Sequence, residues 1–117
     1  MKQVFALDLK VLRRKSGLTQ RDCAHLLAVH PSKVSLIECG KSFPSIGNIA
    51  VLTVIYGRSF EQLCEHFIIE AHRQLYDRVR TMPRAPKRWL GRFNRQHTLD
   101  QLADRLAALT DYGYAAA

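Results

Sequence analysis

Cysteine is scarce in this sequence. Three residues, Cys23, Cys39 and Cys64, make an odd number without a CxxC pair. They supply neither a disulfide framework nor a zinc-ribbon spacing, and a reducing cytoplasm suits them best. Long apolar runs are missing too. The longest, Ile49 to Tyr56, falls far short of the ~20 residues a membrane span requires, so no membrane partner is expected. Asp8 interrupts the N-terminal apolar stretch, which argues against a secretory leader. There is no glycine-rich phosphate loop, nucleophile elbow or paired-carboxylate motif, so an enzyme is not expected. His66 and His72 stand six apart, the wrong spacing to share a metal on one helix face. No metal or other cofactor is expected. These absences exclude a secreted mini-protein, a membrane protein and a zinc finger.

What remains is a basic chain with enough apolar residues for a core. Leu, Ile, Val and Phe account for 33 of the 117 residues, above the ~20% share below which disorder is expected. The length fits one domain, or a small domain with an extension. The net charge is +8, a surplus that suits a polyanionic partner such as nucleic acid. The charge is clustered. Residues 1–58 carry nine cations and three acids, and residues 83–97 carry five cations and no acid. The segment between them is near neutral. A binding surface predicts such blocks; a uniformly solvated surface does not.

The apolar spacing reads as helices throughout. Leu7, Val11 and Leu12, with Leu9 flanking, give a first helix from about 7 to 15, ended by Gly17. Thr19 suits the cap of a second helix over 20–27, with Cys23, Ala24 and Leu27 inward. Pro31 suits the first turn of a third helix over 31–38, closed by Gly40. Residues 46–56 are rich in β-branched side chains and read either as a buried strand or as a helix capped by Ser45. Their length and the Ile49, Leu52, Ile55 spacing favour the helix. Ser59 to Gln62 is a capping-box pattern opening a fifth helix that runs to about 80. Pro83 and Pro86 end it. Residues 83–97 then read as a basic linker. A second capping box, Thr98 to Gln101, opens a last helix over about 99–109, with Leu99, Leu102, Ala103, Leu106 and Leu109 on one stripe.

The most specific pattern lies in residues 17–41. Two short helices flank a tight turn, with small Ala24 where they cross and Val29, Val34 and Ile37 on the packing side. That geometry lets one helix brace on a DNA backbone while the next enters the major groove. Leu9 to Arg13, Gly17 to Gln20, Ala24, Val29, Val34, Ile37 to Lys41, and Pro44 with Ser45 stand at the spacing of a known family. Over residues 7–67 the chain resembles the helix-turn-helix family of phage lambda repressor and Cro, also called Xre-like. Three positions depart from that pattern. Ala28 stands at the usual turn glycine, Leu36 at a common polar base reader, and Gly47 inside the fourth helix.

The resemblance implies an all-α fold, a five-helix lambda-repressor-like domain over 1–67 with a C-terminal helical extension over 68–117. It also resolves residues 46–56 as helix. It implies sequence-specific binding of double-stranded DNA as a homodimer. His30, Pro31, Ser32, Lys33 and Leu36 then face base edges. Lys33 is suited to guanine O6 and N7, and Leu36 to a thymine methyl. Thr19, Gln20, Arg21, Ser35, Lys41 and Ser42 fall to the phosphates. Arg13 and Glu38 match a structural pair joining the first and third helices.

The extension is read from its residues alone. Phe67, Ile68, Leu75, Val79, Leu102 and Leu106 form stripes suited to dimerisation. The linker has two readings. Arg84, Lys87, Arg88, Arg92 and Arg95 form a DNA-gripping arm with Trp89 as a packed anchor, or the segment is a connector with Trp89 and Phe93 in the core. The expected activity is a cytoplasmic transcription regulator, by default a repressor on an inverted-repeat operator. The alternatives are an antitoxin-type module that holds a protein partner through its C-terminal half, and an architectural DNA-binding protein.

Overall fold

The computed structural model describes residues 2–111, and their side chains as far as residue 108. The described residues form seven helices and no strand: α1 (Lys2–Ser16), α2 (Gln20–Leu27), α3 (Pro31–Glu38), α4 (Ile46–Tyr56), α5 (Phe60–Leu63), α6 (Glu65–Val79) and α7 (Arg92–Asp111). They divide into two compact units that meet between His66 and Phe67.

In the first unit, short polar side chains set most helix starts. The hydroxyls of Thr19, Ser45 and Ser59 accept from the backbone N–H three residues on, satisfying donors that a helix start leaves unpaired. Left-handed residues end the helices. Gly57 closes α4 at φ 63°, and Gly40 turns the chain after α3 at φ 75°. The core gathers Phe5, Ala6 and Leu9 of α1, Cys23, Ala24 and Leu27 of α2, Val34 and Ile37 of α3, Ile49 and Leu52 of α4, then Leu63 and Cys64. Each fully buried Leu or Ile contributes about 1.5–3 kcal/mol relative to exposure. Ala24, 1% exposed, lies where α2 and α3 pack, and its small size permits that approach. Phe43 of the α3–α4 connector sets its ring against Phe5, with centroids 5.1 Å apart.

Three sequence expectations need correction. The first helix begins at Lys2 rather than near residue 7, and it buries Phe5, Ala6 and Leu9 while Leu7 and Val11 stay exposed. The apolar face therefore runs through positions 5 and 9, one strip round from the one expected. The fifth helix is not continuous to residue 80. It breaks at Cys64 (φ −108°, ψ 25°), and α6 starts afresh at Glu65. Adjacent residues on a continuous helix point about 100° apart. The break lets both Leu63 and Cys64 turn inward, and both are buried.

The last helix begins at Arg92, not at residue 99, so Thr98 is an interior residue and caps nothing. A helix extends backwards at little cost until the backbone opposes it. Here that point is Gly91, preceded by a loop containing Pro83 and Pro86. Residues 92–97 of the expected linker are thus helix. Leu109 of the expected stripe has a side chain outside the described residues.

Candidate nucleic-acid interface

The interface starts from the junction of α2 and α3. The Thr19 hydroxyl accepts from Asp22 N (3.0 Å), and Thr19 N donates to the Asp22 carboxylate (2.9 Å). This reciprocal box fixes the start of α2. The donated N–H holds the Asp22 carboxyl below its ordinary value, with the Thr19 hydroxyl adding to the effect. At the other end, Ala28 N donates to His25 O (3.1 Å) and Val29 N to Ala24 O (3.0 Å). That pair of bonds is a Schellman closure, and it forces Ala28 into the left-handed region at φ 56°, ψ 44°. Among the described residues Ala28 alone, apart from glycines, has a positive φ. The turn glycine is absent from the sequence, yet the turn keeps the conformation that glycine adopts without strain.

α3 opens on His30, whose Nδ1 accepts from Ser32 N (3.1 Å) and sits 2.8 Å from Ser32 Oγ. Accepting the backbone N–H requires an unprotonated Nδ1, so the neutral ring carries its hydrogen on Nε2, as a donor. Pro31 occupies the first turn with its φ already suited to a helix. Val34 and Ile37 face the core. His30, Ser32 and Leu36 are exposed, Leu36 by 43%. Beyond the helix, Lys41 N (2.9 Å) and Ser42 N (3.2 Å) both donate to Leu36 O, folding the following loop under the exposed face.

An ion pair clamps this helix to α1. Arg13 Nε and Nη2 donate to the two carboxylate oxygens of Glu38 at 2.7 and 3.0 Å. Arg13 Nη1 donates to Leu18 O (2.9 Å), and Gln20 Nε2 donates to Glu38 Oε1 (3.2 Å). The Arg13–Glu38 pair thus ties α1, the α1–α2 turn, α2 and α3 together. The bond to Glu38 raises the Arg13 pKa. Behind it, Cys23 Sγ lies 3.9 Å from Tyr56 Oη, and burial pushes both groups up.

The other expected contact residues are distributed unevenly. Arg21 and Lys41 are exposed, and Ser35 is half-buried. Gln20 has its amide engaged with Glu38 rather than free for a phosphate. Lys33 Nζ donates to Ser42 Oγ, so a cation expected to read guanine and a hydroxyl expected to touch the backbone occupy one another. Sequence reasoning missed three features: Asp22 as a capping partner, His30 as the cap of α3, and the Lys33–Ser42 link. The spacing from Thr19 to Asp22 is itself a capping-box signature and was sufficient to find the first. The other two have no local sequence signal.

In the second unit, the reading that places Trp89 and Phe93 in a core is wrong. Trp89 is 52% exposed and Phe93 82%. A short loop bonded to itself cannot cover rings of this size. Of the stripe residues expected to dimerise, Leu106 is 4% exposed within the single chain. Phe67, Ile68, Val79 and Leu102 are half-buried, and Leu75 is exposed.

A capped helix, a left-handed turn and a second helix clamped with one face outward define a helix-turn-helix protein. The chain belongs to the helix-turn-helix domain family, whose model matches residues 4–67. This match is consistent with the likeness to lambda repressor and Cro, and it points to a DNA-binding regulator. No curated protein and no solved structure matches the chain. Among the described residues no helix is long and apolar enough to cross a membrane.

Proposed function

We infer that this chain is a sequence-specific regulator of transcription that binds double-stranded DNA. It represses by occupying an inverted-repeat operator as a homodimer, one α3 in each half-site. The outward face of α3 carries the reading: His30, Ser32 and Leu36 are exposed on a helix capped by His30 and clamped through Glu38. Such a helix meets base edges without further ordering, which keeps the entropy cost of binding low. His30 Nε2–H supplies a donor for a purine N7 or a carbonyl oxygen, Ser32 a hydroxyl, and Leu36 an apolar contact for a thymine methyl. Lys33 and Ser42 exchange their mutual bond for guanine and phosphate. Arg21 and Lys41 hold the backbone on either side.

The dimer contact falls to the second unit. Leu75 is exposed, and Phe67, Ile68, Val79 and Leu102 retain area to bury, while Leu106 has little left to give. Selection of duplexes from a randomised pool tests the reading. Enrichment of an inverted repeat with half-site centres about 34 Å apart is the expected result. Retention of DNA without any enriched sequence would overturn it.

A further inference from the structure

Between Asp77 and Asp100 the chain has no acid and seven cations: Arg78, Arg80, Arg84, Lys87, Arg88, Arg92 and Arg95. Six of the seven are arginine. The same stretch exposes its apolar side chains. Leu90 is 98% exposed, and Phe93, Trp89 and Met82 are also open.

The loop is nevertheless built. Arg95 Nη2 donates to Pro83 O across twelve residues, Trp89 N donates to Pro86 O (3.1 Å), and Arg95 N donates to Gly91 O (2.8 Å). The Trp89 indole lies so close over Gly91 that a Cβ there would fall 2.9 Å from its Nε1. The Arg92 guanidinium lies over the Phe93 ring at 5.9 Å from its centroid, close to the ~6 Å outer reach of that contact. Leu90 at the end of the loop and Phe93 in the first turn of α7 therefore stand exposed side by side in sequence with Arg92, whose guanidinium lies over the Phe93 ring.

Charge limits what this stretch meets. A second copy of the same loop would set seven cations against seven, so the occupant is a polyanion. Arginine favours phosphates and the narrow minor groove, where its planar fork and weaker hydration serve it better than lysine's point charge. An exposed Leu and Phe flanked in sequence by arginines match the way proteins press apolar wedges between base steps. The geometry points to a second DNA contact in this unit: the cations of 78–95 grip phosphates beside the minor groove, and Leu90 and Phe93 wedge against the bases and bend the duplex. The contact takes the same class of ligand as the proposed regulator but does not depend on α3.

Trp89 is the sole tryptophan and lies in the loop, so it reports directly. The full chain is titrated with a duplex of about 30 base pairs of arbitrary sequence, long enough to bend measurably, with dyes at its two ends. Trp89 emission is expected to change on binding, and the duplex ends to approach one another. Changing Arg84, Lys87, Arg88 and Arg92 to Gln is expected to lower the slope of log affinity against log salt by about 3–4. Leu90→Ser with Phe93→Ser is expected to keep that slope, lose the bend and weaken binding about tenfold. All six side chains are exposed, and unchanged helical circular dichroism confirms that the variants fold.

Lys41→Ala with Ser32→Ala separates this contact from the α3 reading. It relaxes the sequence preference at one or two positions per half-site if α3 reads bases, and it leaves the Trp89 response intact if the loop is a contact of its own. Three results would overturn the proposal: Trp89 unmoved by duplex DNA, a salt slope unchanged in the four-Gln variant, or a Trp89 response to vesicles containing phosphatidylglycerol with none to DNA.

Discussion

Replacing Ala28 by Gly is expected to make the protein more stable, although glycine usually weakens a helix end that lacks a special conformation. Ala28 sits at φ 56°, ψ 44°, where an L side chain brings its Cβ against the backbone at a cost of about 1–2 kcal/mol. Glycine removes that cost. It adds about 0.5–1 kcal/mol of unfolded-state entropy in return. The Ala28 methyl is exposed, so its deletion leaves no cavity. The midpoints of the two ranges leave a gain of about 0.75 kcal/mol, or roughly 3–6 °C in melting temperature for a unit of this size. Thermal unfolding followed by circular dichroism reads it. Ala28→Val supplies the opposite sign, because a β-branched residue fits this region worse than alanine. A melting temperature that is unchanged or lower in Ala28→Gly would refute the claim that the turn stores strain.

Three further outcomes follow from the same geometry. Glu38→Gln leaves the nearly buried Arg13 guanidinium without its anionic partner, and urea unfolding should show a loss of about 3 kcal/mol or more; a loss below 1 kcal/mol would mean that the clamp is not structural. The lowered Asp22 pKa gives stability that is fully present above the ordinary carboxylate value. It is lost as pH falls through that value towards the lowered one. Urea midpoints should therefore fall further between neutral and acid pH for wild type than for Asp22→Ala; an equal fall in the two would mean that the box carries no charge-dependent stability. A maleimide at neutral pH should label Cys39 in the folded protein and reach buried Cys23 and Cys64 only on unfolding. Rapid labelling of all three would contradict the burial of the last two.

Local chemistry made much of the first unit readable. Thr19, Ser45 and Ser59 announce their helices because a hydroxyl there satisfies a donor that a helix start leaves unpaired, and Gly17, Gly40 and Gly57 stand where α1, α3 and α4 end. The α2–α3 junction was legible because a small residue at Ala24 and apolar residues at Val34 and Ile37 leave few ways to pack. The buried face of α1 was not. Leu7 and Val11 match helical spacing as well as Phe5 and Leu9 do, and tertiary packing alone chooses between them. The break at Cys64 was hidden for a related reason, since an unbroken apolar repeat does not reveal that two adjacent residues both need the core. Thr98 misled because a capping box is a possibility that a helix starting further back overrides. In the site, residue types at Ser32, Leu36 and Glu38 were visible, but the pairings of Lys33 with Ser42 and of Gln20 with Glu38 arise between segments. Pattern reading has no access to them.

The central claim is that the outward face of α3 reads bases. It is tested most directly by repeating the randomised-duplex selection with Ser32→Ala and with Leu36→Ala beside the wild type. Each substitution should relax or change the enriched sequence at one or two positions per half-site and leave the remaining positions intact. Identical enriched sequences from all three proteins would contradict the claim and move base recognition away from α3.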